Sequence, residues 1–517
     1  MASEETRSEA VASRLPRKKW RRIIGWTLAT PPIIIALICL FLAYEIYASN
    51  RLMAQHSRFP IMAQPAPPQS ILVFSPHCDD ETLGAAGLIQ RARKQGCDVH
   101  VTFFTNGDGF RIGVSQEFAE INVQPADFVR YGYLRQRETR TALKVLGVAD
   151  DNITFLGYPD RGLMPMWTDS WLPANVYKSP YTQCDHCPYN DAATPNAAYC
   201  GLSVLKDVEA QMERIQPSDI YVTHPNDDHP DHAAASVFVR AALEHLRSTG
   251  RPWAKRARLH YFLVHRGDWP VPQGLHEDAS LPPPAQLVDT GTKWEQMPLS
   301  RHEIQRKYAA IKRYKSQTEL TGRFLYSFVR KNELFGDVDA EIGRSIPTIP
   351  VDHERLTVDA KSWTGISPVA LDPAADSVPR MMRAGADIVR MFAAKQGQDL
   401  FVRADMSGGI LKGGQYRIVV RPMLASLTAP RPTTVTLTAG TDNKVLRVDG
   451  IPNATASWQD NTVLFRIPWD ALGIPNGAAG DLYLQADTKL ADVQVDRTGF
   501  RAVPLNATVM ASADRGR

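Results

Sequence analysis

Ser75-Pro76-His77-Cys78-Asp79-Asp80-Glu81 lies between an apolar run, Ile71-Leu72-Val73-Phe74, and a helix-like stretch from Thr82 to Lys94. Strand, tight loop and helix N-terminus place its polar side chains at the carboxyl end of a strand, where open α/β sheets bind ligands. His77 and Asp80 are three residues apart, so one helical turn aims both at a single ion. Asp79 lies between them and is left to act on whatever that ion holds.

A second segment repeats the pattern. Ile220-Tyr221-Val222-Thr223 reads as a buried strand, followed by the loop from His224 to His232 and an Ala-rich helix from Ala233 to about Leu246. Pro230 suits the first turn of that helix, where its missing N–H costs nothing. His229 and His232 share a face at i, i+3 spacing. Two His and one Asp make a three-ligand site with a vacant position, the usual form of catalytic zinc.

With both segments in view, the chain resembles the LmbE/PIG-L family of zinc deacetylases, which remove N-acetyl groups from glucosamine derivatives. His77-Cys78-Asp79-Asp80-Glu81 looks like the family's HPDDE motif, and His229-Pro230-Asp231-His232 matches its HPDH motif. Weaker echoes lie at Arg135 and Glu138 ahead of Ala142, Leu146 and Gly147. Others lie at Leu156-Gly157-Tyr158-Pro159-Asp160, and at Lys307, Ala310 and Ser316-Gln317. Cys78 departs from the usual Pro, and Asp227-Asp228 stands where some members carry a Tyr that assists catalysis.

The resemblance implies that His77, Asp80 and His232 bind Zn²⁺. Asp79 is then the general base that later protonates the leaving amine. His229, protonated, stabilises the oxyanion. Asp231 hydrogen-bonds a His ring and orients it. Arg135, Asp160 and Arg161 are candidate substrate contacts, with salt bridging the competing role for each and Glu138 the expected partner of Arg135. The competing reading of His77, Asp79, Asp80 and His229 is helix capping. His224 reads as a surface loop residue, and Cys78 as a small packing residue rather than a nucleophile.

The 517 residues suffice for two or three domains, and a net charge of +4 gives no support to a nucleic-acid partner. Part of that charge is one cluster, Arg14, Arg17, Lys18, Lys19, Arg21 and Arg22. An uncharged apolar stretch, Ile23 to Tyr44, follows it. Residues 1–22 therefore read as a cytoplasmic basic tail, 23–45 as one transmembrane helix and 46–68 as a stalk. The catalytic domain falls outside the cytoplasm, periplasmic or at the cell surface. A cleaved signal peptide is the competing reading, and the apolar core is long for one.

Residues 69–345 alternate strands (70–75, 98–104, 153–156, 218–223, 258–264) with helices (82–95, 134–147, 203–215, 232–247, 300–315). That is the pattern of an α/β domain, and the resemblance makes it Rossmann-like: a mostly parallel sheet with helices on both faces. Insertions at about 108–132, 160–200 and 266–298 are expected to shape the pocket. Cys184, Cys187 and Cys200 lie in the second of these. A disulfide is the favoured reading and a zinc knuckle with His186 the alternative.

After a linker at Ile346-Pro347-Thr348-Ile349-Pro350, residues 355–510 show β-like runs at 388–393, 399–404, 416–421, 433–438, 444–448, 462–467 and 481–486. They read as an all-β sandwich. Asp399-Leu400-Phe401-Val402-Arg403 and Ile467-Pro468-Trp469-Asp470-Ala471-Leu472-Gly473 resemble carbohydrate-binding modules of family 9 or DOMON type. Trp458 and Trp469 either stack on sugars or fill a core. A tethered sugar-binding module predicts that its removal spares small substrates and harms polymers.

The function expected from all of this is a membrane-anchored, zinc-dependent hydrolase of the N-acetyl group on an N-acetylglucosamine-type sugar, in a glycan, glycolipid or glycoside. The alternatives are an inactive deacetylase-like glycan-binding protein and a non-haem iron oxygenase.

Overall fold

Ile71, Leu72, Val73 and Phe74 are all buried, as a central strand covered on both faces requires. Their side chains alternate: Ile71 and Val73 enter one hydrophobic core, Leu72 and Phe74 another. The strand, β1 (Ser70–Ser75), pairs in parallel with β2 (Asp98–Thr105) on one side and β4 (Asp219–Thr223) on the other. With β3 (Ile153–Tyr158), β5 (Arg258–Phe262), β6 (Lys293–Pro298) and β7 (Asn332–Asp337), the sheet runs 3-2-1-4-5-7-6. Strand order reverses between β1 and β4, so the crevice at their carboxyl ends is the topological switch point.

The computed structural model describes residues 59–505 apart from 268, 289, 339–345, 351–352, 375–382, 425–432, 441–443, 476–477, 479 and 492, together with Leu40 and Tyr44. The expected basic tail and transmembrane segment lie outside the described residues save for those two. The expected stalk does so as far as residue 58. Among the described residues no helix is long and apolar enough to cross a membrane.

The five sequence-predicted strands of the α/β domain fall on β1 to β5. β6 and β7 were not anticipated: they pair antiparallel at the sheet edge. Lys-Trp-Glu-Gln-Met-Pro has no β-branched run to announce β6, and tertiary pairing makes it a strand. The helix expected at 134–147 runs from Pro125 to Leu146, because Pro125 and a Gln124/Asp127 capping box start it earlier. The 300–315 helix ends at Ile311, and a separate helix, Lys315–Tyr326, follows.

The insertion carrying the cysteines is not cross-linked. Cys78, Cys97, Cys184, Cys187 and Cys200 are free thiols, which corrects the disulfide expectation. The zinc knuckle fares no better, since no metal-holding group among the described residues contains a cysteine. Cys187 Sγ faces the carbonyls of Leu156 and Tyr189, and Cys200 Sγ faces Ser203 Oγ at 3.2 Å. Buried tyrosines pin the loop instead: Tyr189 OH donates to Asp108 at 2.6 Å and Tyr199 OH to the Gly157 carbonyl at 3.1 Å.

The C-terminal region is two six-stranded sheets packed face to face. One is built on Ile388–Gln396, Asp399–Met406, Thr455–Gln459 and Thr462–Pro468. The other contains Gln415–Leu424, Thr433–Ala439, Gly480–Leu490, Val493–Arg497 and Arg501–Pro504. Along Gln415–Leu424, Ile418 and Val420 enter the sandwich core, while Val419 and Met423 enter the α/β core with Tyr483 and Phe500. That is the period-2 alternation of a strand buried on both faces.

Trp167 packs edge-on to Tyr483 and Phe500, and the fully buried Arg421 donates to the Trp167 carbonyl with its guanidinium 4.0 Å over Trp171. The described residues from Phe59 to Leu505 therefore form one compact unit. Trp458 and Trp469 are half-buried against the sandwich core.

Candidate metal centre and active site

β1 delivers His77, Asp79 and Asp80 through a loop that the α/β domain satisfies internally. Glu81, fully buried, is the hub. It accepts from Tyr314 OH at 2.5 Å, from Thr82 Oγ1 at 2.5 Å and from the Asp79 amide at 3.2 Å. Ser75 Oγ takes the Glu81 amide at 3.1 Å and donates to the His77 carbonyl at 2.7 Å. Arg135 donates to the Cys78 carbonyl, and to the Gly107 carbonyl at 3.1 Å. Asp79, at the N-cap of the helix Asp80–Gln95, has φ 135 and ψ −28. For a residue with a Cβ this is a sparsely populated conformation, kept only where the surroundings impose it.

β4 delivers the opposite wall. His229 is the N-cap of the helix Pro230–Ser248, its Nδ1 accepting from the Asp231 amide at 3.2 Å. A ring nitrogen that accepts carries no proton, so neutral His229 holds its hydrogen on Nε2. The capping reading and the site reading of His229 are therefore both true of its position: it caps the helix and lines the pocket.

Three atoms converge between the loops. His77 Nδ1, Asp80 Oδ2 and His232 Nε2 lie 3.1 Å from one another on every side. An ion with tetrahedral bonds near 2.05 Å has ligands roughly 3.3 Å apart, so the triangle fits one face of such a site. Carboxylates back both imidazoles. His77 Nε2 lies 3.3 Å from Asp160 Oδ1 and 3.4 Å from Asp231 Oδ2, and His232 Nδ1 lies 3.2 Å from Asp227 Oδ2. Carboxylate behind imidazole is the arrangement that fixes ring orientation and raises ligand basicity. Groupings of His77 with His229 and His232, and of Asp80 with His232 and His265, also suit a metal by distance.

The electrostatics point the same way. Burial opposes charge on His77, yet Asp160, Asp231 and Asp80 outweigh it and hold the ring well above its ordinary pKa. Burial opposes charge on His232 too, and Asp227 and Asp80 lift it to about 9. Surroundings that favour positive charge on two adjacent rings fit a cation in their place.

Asp79 is pushed up to about 8, by burial first and by Asp80 and Glu81, with Arg135 pulling down at 3.3 Å. A cation beside it would lower that value. Burial, then the His77 and His232 rings, press His229 well below the ordinary range. Those surroundings disfavour the protonated ring that the resemblance implied.

The remaining sequence-predicted residues separate. Asp160 is buried, accepting the Gly109 amide at 3.0 Å behind His77. Arg135 is buried and pairs with Asp79, not Glu138, which accepts from Ser316. Gly107 has φ 63, and a Cβ there would strike Arg135 Nη1. Arg161 is exposed at the pocket rim, its amide on Asp231 at 2.5 Å. Asp231 is fully buried against His77. His224 is no surface residue: it is buried, stacked on Trp294, with Nε2 3.0 Å from Thr292 Oγ1. Cys78 is buried, and burial pushes its thiol up to about 12.

Three residues were not anticipated. Asp227 takes the amides of His229, Val264 and His265, each at 3.0 Å. No spacing distinguishes it from Asp228; only the position of the His232 ring does. Asp108 accepts the Asp160 amide at 3.1 Å. His265 lies in the pocket wall, its ring 4.9 Å from His232 and stacked on Phe324 at 5.2 Å. Its place just past the carboxyl end of β5 was a usable signal.

Residues 72–243 match the family described as PIG-L, GlcNAc-PI de-N-acetylase. A glucosamine-6-phosphate deaminase-like protein of Bacteroides thetaiotaomicron is 22% identical over 302 residues, 50% of this chain but 37% of that protein's length. A 1D-myo-inositol 2-acetamido-2-deoxy-alpha-D-glucopyranoside deacetylase of Tsukamurella paurometabola is 26% identical over 279 residues, 48% of this chain and 82% of that protein. Among solved structures, an N,N'-diacetylchitobiose deacetylase of Pyrococcus horikoshii aligns over 52% of this chain and 84% of its own, with 16% identity and a TM-score of 0.33. Residues 72–243 of this chain are thus a PIG-L (LmbE) family domain.

Proposed function

We propose that this protein is a zinc-dependent amide hydrolase that removes the acetyl group from an N-acetylglucosamine-type sugar. The observation that carries the proposal is the 3.1 Å triangle of His77 Nδ1, Asp80 Oδ2 and His232 Nε2 with the Asp79 carboxylate in the same pocket. The acetylated-sugar deacetylase named among the relatives supports the substrate class.

His77, Asp80 and His232 hold the metal, and Asp227, Asp160 and Asp231 fix the two rings. Bound Zn²⁺ supplies Lewis acidity at the acetyl carbonyl. Asp79 removes a proton from the attacking water and returns it to the amine nitrogen as the C–N bond breaks. Neutral His229 donates its Nε2–H to the oxygen that gains charge. Arg135 holds the Asp79 carboxylate, and Arg161 at the rim is the candidate sugar contact. The products are acetate and the free amine. Membrane anchorage and an extracytoplasmic catalytic domain are part of the proposal, supported by the basic cluster and apolar stretch of residues 14–44.

Metal analysis of protein purified without added metal, followed by acetate-release assays on N-acetylglucosamine polymers, glycolipids and glycosides, tests this. Zinc with acetate release is expected. Iron with oxygen consumption, or zinc without acetate from every substrate, would refute it. His232→Ala should weaken metal binding substantially, while His229→Ala should keep the metal and slow turnover. The reverse pattern would exchange their roles.

A further inference from the structure

The loop that carries Asp227 and His229 is held from outside its own domain. Arg497, in the sandwich, donates through Nη2 to the carbonyls of Asp227 at 3.0 Å and Asp228 at 3.1 Å. Arg501 Nη2 donates to Asn226 Oδ1 at 3.2 Å, and Asn226 Nδ2 donates to Asp372 at 2.7 Å. Gly499 lies so close that an added Cβ would sit 2.9 Å from Asn226 Oδ1 and 3.0 Å from the Pro225 carbonyl.

The segment that makes these contacts is itself braced. The Thr498 amide donates to the Ala486 carbonyl at 2.9 Å, the Ala486 amide to Thr498 Oγ1 at 3.1 Å, and Gln485 Nε2 to the Thr498 carbonyl at 2.9 Å. Their strand, Gly480–Leu490, presses Tyr483 onto Trp167 of the α/β domain. A continuous path of contacts runs from the domain interface through Thr498 and Arg497 to the backbone of Asp227, and from the Asp227 carboxylate to His232 Nδ1.

We infer that Arg497 is a positioning residue: the C-terminal sandwich uses it to hold the 224–232 loop so that Asp227 and His229 face the metal site in register. The catalytic reading of that loop rests on the function proposed above; the mechanical coupling does not. Arg497 makes two bonds to successive carbonyls, which fixes the direction of the peptide between them. A lysine keeps the charge but replaces the planar, pre-organised guanidinium with a flexible ammonium.

The experiment uses the full chain and the variants Arg497→Ala, Arg497→Lys and Gly499→Ala. As a control, Met423→Ala thins the same domain interface beside Asp481, toward the Arg240 and Glu244 end of the helix Pro230–Ser248. Amide hydrogen exchange of the peptide spanning 224–232, release of zinc to a chelator, and kcat and KM on a small N-acetylated sugar are measured.

Arg497→Ala should speed exchange in that peptide and zinc release, and lower kcat about tenfold with KM unchanged. Arg497→Lys should recover part of the loss, and Gly499→Ala should disturb the same peptide. Met423→Ala should lower Tm and leave exchange at 224–232 as in the parent. Unchanged exchange and zinc release in Arg497→Ala, or equal effects from Met423→Ala, would overturn the inference. A parent protein without zinc or deacetylase activity would defeat the proposed function instead, and the exchange result would still decide whether Arg497 holds the loop.

Discussion

The two loops that face each other across the site are held in different ways. The 76–81 loop is satisfied from within: Glu81, Ser75, Tyr314 and Arg135 all belong to the α/β domain. The 224–229 loop draws Arg266, Val264 and His265 from its own domain, and Arg497, Arg501, Gly499 and Asp372 from the sandwich. One half of the centre is therefore a property of a single fold. The other half depends on how two folds dock. A metal site assembled from both inherits the weaker constraint of the docked half.

The largest test of that difference is truncation. A chain ending at Ile349 loses every sandwich contact to the 224–229 loop and uncovers Trp167 and Phe238, which lie in the core shared with Val419, Met423 and Tyr483. Turnover of a small N-acetylated sugar should fall as far as turnover of a polymer. Full small-sugar turnover in a folded truncated chain would support the picture of a tethered module and break the comparison.

Asp79→Asn probes the self-contained loop. It should keep zinc and lower turnover by about a hundredfold, because the carboxylate is lost while His77, Asp80 and His232 stay. Joint loss of zinc and activity would make Asp79 a ligand. Glu81→Leu probes that loop's support. Removing the acceptor of Tyr314, Thr82 and the Asp79 amide leaves buried donors unpaired at a cost of about 1–3 kcal/mol each. Thermal unfolding should shift by several degrees; an unchanged Tm would show that the loop does not lean on Glu81.

The smallest effect concerns acid. Burial first, then Arg501 and Arg266, push His224 down to about 3; the unfolded chain protonates near 6.5. Between those values the unfolded state binds a proton that the folded state refuses, so stability falls as pH drops from 6.5 toward 3. His224→Gln should flatten that part of the Tm–pH profile. An unchanged slope would place the acid sensitivity elsewhere.

How much was legible follows the same division. The i, i+3 pairs at His77/Asp80 and His229/His232, each after an apolar run, placed both motifs at strand ends, because local periodicity and helix starts are short-range properties. The seven β-like runs after residue 388 fell on strands for the same reason. Asp227 was not legible: its role arises from where the His232 ring arrives in space. The role expected of Arg135 changed once folding brought Asp79, not Glu138, beside it. The disulfide reading of Cys184, Cys187 and Cys200 failed because spacing says nothing of which way a thiol points.

The sequence by itself determined the strand–loop–helix units, the polar residues presented at their ends and the chemistry those residue types can perform. Only the tertiary structure decided which carboxylate backs which imidazole, that the surroundings of His229 disfavour its charged form, and that Arg497 of a distant β-sandwich bonds the second loop. The physical reason is range. Hydrogen-bonded turns and amphipathic periods are written within a few residues. Burial, the sum of nearby charges and the docking of one strand face onto another domain depend on residues hundreds of positions away, which no local pattern encodes.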